Sequence, residues 1–332
     1  MRFGLSTTLA VALLLPLLGS AQSLENFSNI SGEAFTVSVS PQYPAPYSKA
    51  AVSILSSSLN LTNTTLTVSV NGKETYKGSV RPVPIPLGKA GSVMSVKITV
   101  SSGGTNYSQT VQIQPQDVVL NIEPISSAPP LYPGKSLVPI EGDVRIVAMA
   151  DLRDASGKSL SPATYAYAWT VGGVQIANSS GIGKSAIIVG SPLQYRVREV
   201  SVVVTNSAGN LVGGASLSLT AREPSVRIYE NDPLLGIRYG RALSRSFNIG
   251  DTEKTLYAAP FSLPTTSGAP SLQWFLNGAA AQTGSSITMR PTGSGKGSAS
   301  LSLVASSGNA TPATTNISLI FGTTSGTNFF GL

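Results

Sequence analysis

A strand–turn–strand pattern that occurs three times constrains the fold of this 332-residue chain more than any other feature. Each copy places a short apolar stretch before an Asn-Gly or Gly-Gly pair, and the copies are LTVSVNGKET (66–75), YAWTVGGVQI (167–176) and LQWFLNGAAA (272–281). Gly72, Gly173 and Gly278 occupy the equivalent turn position, and they lie about 100 residues apart. A period of that size indicates repeated whole domains rather than the short repeats of a solenoid.

Each turn is followed by two further segments in which apolar and polar residues alternate. The first set is VKITVSSGG (96–104), VSVVVTNSAGN (200–210) and ASLSLVASSGN (299–309), and the second is YSQTVQIQ (107–114), VGGASLSLT (212–220) and TTNISLIF (314–321). Alternation with period two is typical of strands buried on one face. Opening strands at 35–41, 118–124 and 224–230 complete the pattern. The sequence therefore predicts an all-β fold of three tandem β-sandwiches, at 33–116, 117–222 and 223–322.

The composition agrees with this prediction. Charged residues make up 11% of the chain and hydrophobic residues 41%, so apolar cores are available. The connections between the units, at 115–117 and 221–224, are very short and contain proline. Short proline-containing connections predict stiff coupling between neighbouring units.

Both ends of the chain differ from the three units. Residues 1–21 combine Arg2, a 16-residue apolar stretch and small residues before Gln22, which predicts a signal peptide; an uncleaved membrane anchor is the alternative. No later stretch is apolar enough to span a membrane. Residues 323–332 form a Gly/Thr/Ser spacer that ends in an aromatic pair, Phe329 and Phe330, which could dock into a partner or simply fray. Export to the cell surface, the periplasm or the medium follows from the signal, and the absence of cysteine favours a bacterial envelope protein.

The second and third units carry a more specific likeness. YAYAWTVGGVQI followed by VSVVVTNSAGN resembles the Y-x-W-x-x-x-G and V-x-V-x-V-x-N-x-x-G patterns of PKD and immunoglobulin-like modules of exported bacterial proteins. The whole arrangement, with its FFGL end, is also similar to uncharacterised exported proteins of small-genome bacteria. The resemblance implies immunoglobulin-like sandwiches, and it implies almost nothing about function. The first unit departs from it, because Val68 stands where the others have Trp169 and Trp274.

The structural residues predicted on this basis are the two tryptophans and the three turn glycines. Trp169 and Trp274 should pack in the cores of units 2 and 3, each with an acceptor for its indole N–H. Gly72, Gly173 and Gly278, the residues of the equivalent turns, are predicted to belong to the same structural core. Recurrence at equivalent positions favours packing over ligand contact.

The sequence contains neither histidine nor cysteine, which removes imidazole bases, cysteine nucleophiles and Cys/His zinc sites. A Ser-Lys system stays formally open at Ser48-Lys49, and the GKS triplet at 183–185 lacks phosphate-loop spacing. The acidic clusters are small; the best calcium candidate, 230–232, is better explained by turn chemistry. We therefore predict a protein that is not an enzyme, with no cofactor, no catalytic residue and no metal site.

The most distinctive segment is ENDPLLGIRYGRALSR at 230–245. One interpretation is a recognition loop for a polyanion or a protein, with Arg238, Tyr239 and Arg241 as candidate binding residues. Its partial echo at 129–137 favours the structural alternative, in which both segments are crossovers between sheets, with Leu243 and Leu137 filling the cores.

The net charge of +7 is spread along the chain without a basic run, so no nucleic-acid partner is expected; the expected partner is a protein or an envelope polymer. The favoured function is adhesion or structural spacing at the cell surface. A docking component of a pilus or secretion apparatus and a carbohydrate-binding module are the alternatives.

Overall fold

A computed structural model describes residues 34–250, 252–292 and 296–322. The predicted signal peptide at 1–21 and the tail at 323–332, with Phe329 and Phe330, lie outside these residues. The described part consists of 24 strands and short 3-10 turns at Leu61–Asn63, Pro162–Thr164 and Ala177–Ser179. It includes no helix that is long and apolar enough to cross a membrane. The predicted all-β class is confirmed.

Unit 1 is a sandwich of two antiparallel sheets. Its strands are β1 (Thr36–Ser40), β2 (Lys49–Leu55), β3 (Thr65–Val70), β4 (Lys73–Ser79), β5 (Val83–Pro86), β6 (Met94–Ser102) and β7 (Thr105–Ile113). The sheet orders are β1-β2-β5 and β4-β3-β6-β7. Apolar residues from both sheets form one core between them.

Unit 2 repeats this arrangement. Its strands are β8 (Asp117–Pro124), β9 (Asp143–Asp151), β10 (Ala166–Val171), β11 (Val174–Gln175), β12 (Gly181–Ile182), β13 (Ala186–Gly190), β14 (Val197–Thr205) and β15 (Val212–Thr220). The sheet orders are β13-β9-β8 and β11-β10-β14-β15, with β12 also paired to β10.

Unit 3 has the same two layers and one additional feature. Its strands are β16 (Ser225–Asp232), β17 (Gly236–Ile237), β18 (Arg245–Gly250), β19 (Lys254–Phe261), β20 (Ser271–Leu276), β21 (Ala279–Thr283), β22 (Ser286–Met289), β23 (Gly297–Ser306) and β24 (Ala313–Phe321). The sheet orders are β17-β16-β19-β22 and β18-β24-β23-β20-β21. Strand β18 pairs in parallel with β24, so the chain crosses from one sheet to the other between β17 and β18.

The two tryptophans occupy matching positions on the central strands β10 and β20. Both are fully buried, and Trp169 pairs across the sheet with Val202 while Trp274 pairs with Leu303. Each indole N–H donates to a backbone carbonyl, that of Lys184 at 2.8 Å for Trp169 and that of Gly284 at 2.9 Å for Trp274. The hydrogen bond satisfies the one polar atom that burial of the ring would otherwise leave unpaired.

Unit 1 builds its core without tryptophan. Val68 lies at the matching position on β3, is fully buried, and pairs across the sheet with Ile98. The unit 1 core consists of side chains smaller than tryptophan, among them Phe35, Leu66 and Ile85.

The three predicted turn glycines lie in equivalent hairpins. Both central residues of each turn have positive φ, with values near +50° at Asn71, Gly172 and Asn277 and +82° at the glycine that follows. This conformation matches the right-handed twist of the flanking strands and favours glycine. Gly72, Gly173 and Gly278 are exposed, so their structural role lies in the turn and not in the core.

Asparagine adds a side-chain bond to two of these turns. The Asn71 side chain accepts from the N–H of Ser95 at 2.9 Å, and the Asn277 side chain accepts from the N–H of Ser300 at 2.9 Å. These bonds attach each turn to the next strand of the sheet. Gly172, at the equivalent position in unit 2, has no side chain and donates only its backbone N–H.

Replacement of Gly278 by alanine should destabilise unit 3 by about 1 kcal/mol, because a side chain at φ +82° is strained even though no atom lies within 4 Å of the added methyl group. Gly297→Ala is the matched control, since Gly297 in the same unit also faces open space but has no positive φ. Chemical denaturation of both variants measures the difference. Equal effects at the two positions would contradict the backbone argument.

One residue missed by the sequence analysis stabilises unit 2. Tyr165 is fully buried, and its hydroxyl donates to the carbonyl of Leu160 at 2.9 Å and accepts from the N–H of Leu152 at 3.1 Å. These bonds fix the connection between β9 and β10 against the core.

Unit 1 is tied to unit 2 through residues 114–116. The buried side chain of Gln116 accepts from the N–H of Arg153 at 2.7 Å and donates to its carbonyl at 3.0 Å. Gln114 in turn donates to the carbonyl of Gly91 at 3.0 Å, and the Gly91 N–H donates to Pro115. The connection is thus bonded to both units rather than free.

Candidate functional site

The segment 230–245 is the crossover that carries the chain from one sheet of unit 3 to the other. After β16 the Asp232 carboxylate accepts from the N–H groups of Leu234 at 2.9 Å and Leu235 at 3.0 Å, and these bonds lower the pKa of Asp232. Strand β17 then pairs back onto β16, and a turn closed by the Arg241 N–H on the Arg238 carbonyl leads towards β18.

The structural alternative is right for Leu243 and wrong for Leu137. Leu243 packs against the core of unit 3, and its N–H donates to Ile228. Leu137 is 44% exposed, and its carbonyl accepts from the Ser126 hydroxyl at 2.6 Å; the next residue, Val138, packs against the unit 2 core instead.

Tyr239 faces the junction between units 2 and 3. Its ring makes edge contacts with Tyr132 of unit 2 at 5.8 Å, Tyr229 at 5.3 Å and Tyr257 at 6.4 Å between centroids. Its hydroxyl donates to the carbonyl of Pro130 at 2.8 Å. Burial, followed by the neighbouring Tyr257, raises the pKa of Tyr239 to about 12, so the hydroxyl stays protonated and remains a donor even in moderately alkaline solution.

Backbone hydrogen bonds join the same two units. The Ser127 N–H donates to the Leu263 carbonyl at 2.7 Å, and the Ser127 hydroxyl accepts from the Leu263 N–H at 3.1 Å. Ser262, also buried, donates its N–H to Ser127 at 3.2 Å, and its hydroxyl donates to Arg222 at 3.0 Å. These are buried polar groups that find their partners only across the junction, so separation of the units would leave them to water.

Arg238 and Arg241 lie on a cleft of about 600 Å³ between the crossover and β18. Polar and apolar side chains share its lining, which includes Glu230, Arg238, Arg241, Leu243, Ser244, Ser246, Phe247 and Asn248. The sequence analysis grouped Arg238, Tyr239 and Arg241 as binding residues. The two arginines share the cleft, whereas Tyr239 lies in the aromatic cluster at the junction. No pattern in the sequence marked Ser244, Ser246 or Asn248 as part of this cleft.

The charges in the cleft are unequally matched. Glu230, whose side chain is 15% exposed, accepts from Lys254 at 2.9 Å and lies 3.5 Å from the Arg238 guanidinium. Among the described residues, Arg241 is in no salt bridge, and its guanidinium makes no hydrogen bond. The cleft therefore carries more positive than negative charge, with Arg241 available to an anion.

A second cavity, of about 620 Å³, lies at the junction itself. Its lining comes from residues 126–130 of unit 2 and from residues of unit 3 that include Tyr257, Gln273 and Ser285, and none of the described residues that line it is charged. The sequence analysis could not find it, because its two walls lie more than 100 residues apart in the chain.

Asp154 and Ser48, of the acidic and Ser-Lys groups weighed for metal binding or catalysis, make local hydrogen bonds. Asp154 accepts from Ser156 and from the N–H of Lys158, and Ser48 donates its hydroxyl to the carbonyl of Ala45. Within 34–250, 252–292 and 296–322, no group of three or more acidic, histidine or cysteine side chains is arranged to hold a metal ion.

Comparisons with known proteins identify solved structures of similar fold but no family for this chain. No protein-family model matches the chain, and no curated protein matches it. Among solved structures, the three N-terminal domains of the bacteriophage RB49 Highly Immunogenic Outer Capsid protein align with 87% of this chain and 99% of theirs, at 13% identity and a TM-score of 0.23. The central fibronectin-III array of RIM-binding protein aligns with 87% of this chain and 96% of its own, at 9% identity and a TM-score of 0.29. Likeness at this level carries no argument about function.

Proposed function

We propose that this chain is an exported, non-enzymatic protein of the cell surface or envelope that acts in adhesion or as a structural spacer through its immunoglobulin-like units. The observation that carries the proposal is the junction between units 2 and 3, where backbone hydrogen bonds and the aromatic cluster of Tyr132, Tyr239 and Phe261 hold one unit against the next.

A spacer keeps its length only when its units cannot turn freely. Units joined by flexible linkers move relative to each other by default. Here the turn around Ser127 is bonded to Leu263, and the Glu141 carboxylate accepts from the N–H of Thr311 at 3.0 Å. These contacts are made by residues outside the link at 221–224, so rotation about that link would break them.

The stiffness can be measured directly because the chain contains no cysteine. Ala177→Cys and Ala280→Cys place one exposed attachment point in each of units 2 and 3, and spin labels there report the distance between the units. We expect a single narrow distance distribution. The same labels with a Gly-Ser insertion after Arg222 provide the comparison and should give a broad one. A broad distribution in the uninserted chain would contradict a spacer role.

Export is tested separately. The full chain expressed in a bacterial host should lose residues 1–21, give a mature N-terminus at Gln22, and be accessible to antibody on intact cells. A chain that keeps its first residues and stays inside the cell contradicts the surface location.

A further inference from the structure

We propose that the cleft between the crossover and β18 of unit 3 binds an anionic sugar unit of an acidic polysaccharide, with Arg241 as its main contact to the carboxylate or sulfate group. The inference extends the proposed function by naming a ligand class, and it rests on that function only in assigning the cleft to surface recognition. Its physical basis lies in the cleft itself.

The lining of the cleft has an excess of positive charge. Lys254 and Arg238 both approach Glu230, so the one acidic side chain in the lining is already matched. Arg241 adds a further cation at the exposed rim of the cleft. A guanidinium binds carboxylate or sulfate oxygens through paired N–H groups, which a neutral ligand cannot use equally well.

The lining of the cleft also contains uncharged polar side chains. The Asn248 side-chain oxygen accepts from the Gly250 N–H at 2.8 Å, and its NH₂ group remains a donor in the lining of the cleft. Ser244 and Ser246 add hydroxyl groups on the same wall. Hydroxyl and amide groups can both donate to and accept from sugar hydroxyls, so this wall suits a polyol.

The floor of the cleft is apolar. Leu243 and Phe247 are partly buried against the unit 3 core and also line the cleft. A sugar ring presents C–H groups on its faces and polar groups on its edge, and a floor of this kind covers the faces. The cleft volume of about 600 Å³ is ordinary for a site that encloses a small ligand.

A nucleic acid fits these observations less well. Binding to a phosphate backbone requires a track of cations, and single strands require exposed aromatic rings on which bases stack. The cleft offers two arginines at one place, and Phe247 is partly buried against the core. The second cavity has no charged lining, so it would take a neutral ligand without involving Arg241.

The test measures binding of the purified full chain to four probes by calorimetry. These are a polygalacturonate oligosaccharide, a sulfated dextran oligosaccharide, an unmodified dextran of the same length and a single-stranded oligonucleotide. We expect at least one of the two acidic sugars to bind, and the pair distinguishes a carboxylate from a sulfate ligand. Arg241→Gln should weaken this binding about 10-fold or more. The exposed Arg241 side chain makes no bond in the described structure, so the variant should unfold like the parent chain.

Arg196→Gln is the matched control, because Arg196 is exposed in unit 2 and its loss changes the net charge equally. Its affinity should stay within about 2-fold of the parent chain. Equal weakening by both substitutions would show diffuse charge attraction and overturn the proposal. Three other results would overturn it as well. The first is binding of the neutral dextran that Arg241→Gln leaves unchanged. The second is tighter binding of the oligonucleotide, and the third is no binding of either acidic sugar. None of these results bears on export or stiffness, which are measured independently.

Discussion

Replacement of Trp169 by alanine is expected to lower the free energy of unfolding of unit 2 by about 3–5 kcal/mol. The ring is fully buried on the central strand β10, so its removal leaves a cavity between the sheets and an unpaired Lys184 carbonyl. Domains of this size are stable by only about 5–15 kcal/mol, so the variant unit should be at the edge of unfolding at room temperature.

The chain has only two tryptophans, which makes the experiment selective. In Trp169→Ala the remaining fluorescence comes from Trp274 and reports unit 3, while circular dichroism follows the whole chain. The reciprocal variant, Trp274→Ala, leaves Trp169 to report unit 2. We expect each substitution to affect its own unit most. A loss of less than about 1 kcal/mol at either site would mean that the tryptophan does not pack as the structure shows.

Replacement of Tyr132 by alanine should destabilise unit 3, although Tyr132 belongs to unit 2. Its ring lies 5.1 Å from that of Phe261 and 5.8 Å from that of Tyr239, and it covers the outer face of β19. Loss of a half-buried ring with two aromatic contacts should reduce the stability of unit 3 by about 2 kcal/mol. Hydrogen exchange of β16 and β19 measures the effect in the intact chain, because their amides should exchange about 30-fold faster.

Leu131→Ala is the control for this second experiment. Leu131 precedes Tyr132 in the same loop of unit 2 but is 97% exposed, so its loss should leave exchange in unit 3 unchanged. If Tyr132→Ala leaves β16 and β19 equally protected, the two units are energetically independent. The junction would then be a contact without mechanical consequence, and the spacer proposal would lose its main support.

The comparison of the same face in units 2 and 3 shows why this junction matters. In unit 3 the outer face of β16 and β19 carries Tyr229, Tyr257 and Phe261, and the crossover and the loop of unit 2 cover it. In unit 2 the same face of β8 and β9 carries Val119 and Met149, which are exposed. The outer face of this sheet is therefore covered in unit 3 and exposed in unit 2, because the crossover follows a different path in each unit.

The sequence by itself determined the strands, the hairpins and the buried tryptophans, because these depend on short-range chemistry. Alternation with period two identifies a half-buried strand wherever it occurs, and a turn with positive φ at both central residues selects Asn-Gly or Gly-Gly locally. The recurrence near Gly72, Gly173 and Gly278 then needed only comparison of the chain with itself.

Only the tertiary structure decided what the segment 230–245 does. Arg238 and Tyr239 are neighbours in sequence, yet one lines the cleft and the other packs at the junction, since the chain turns at Gly240. The partners of Tyr239 and Leu263 are Pro130 and Ser127, more than 100 residues earlier in the chain. Contacts at such separation leave no periodic signal in the sequence, because they depend on how one folded unit rests on the next.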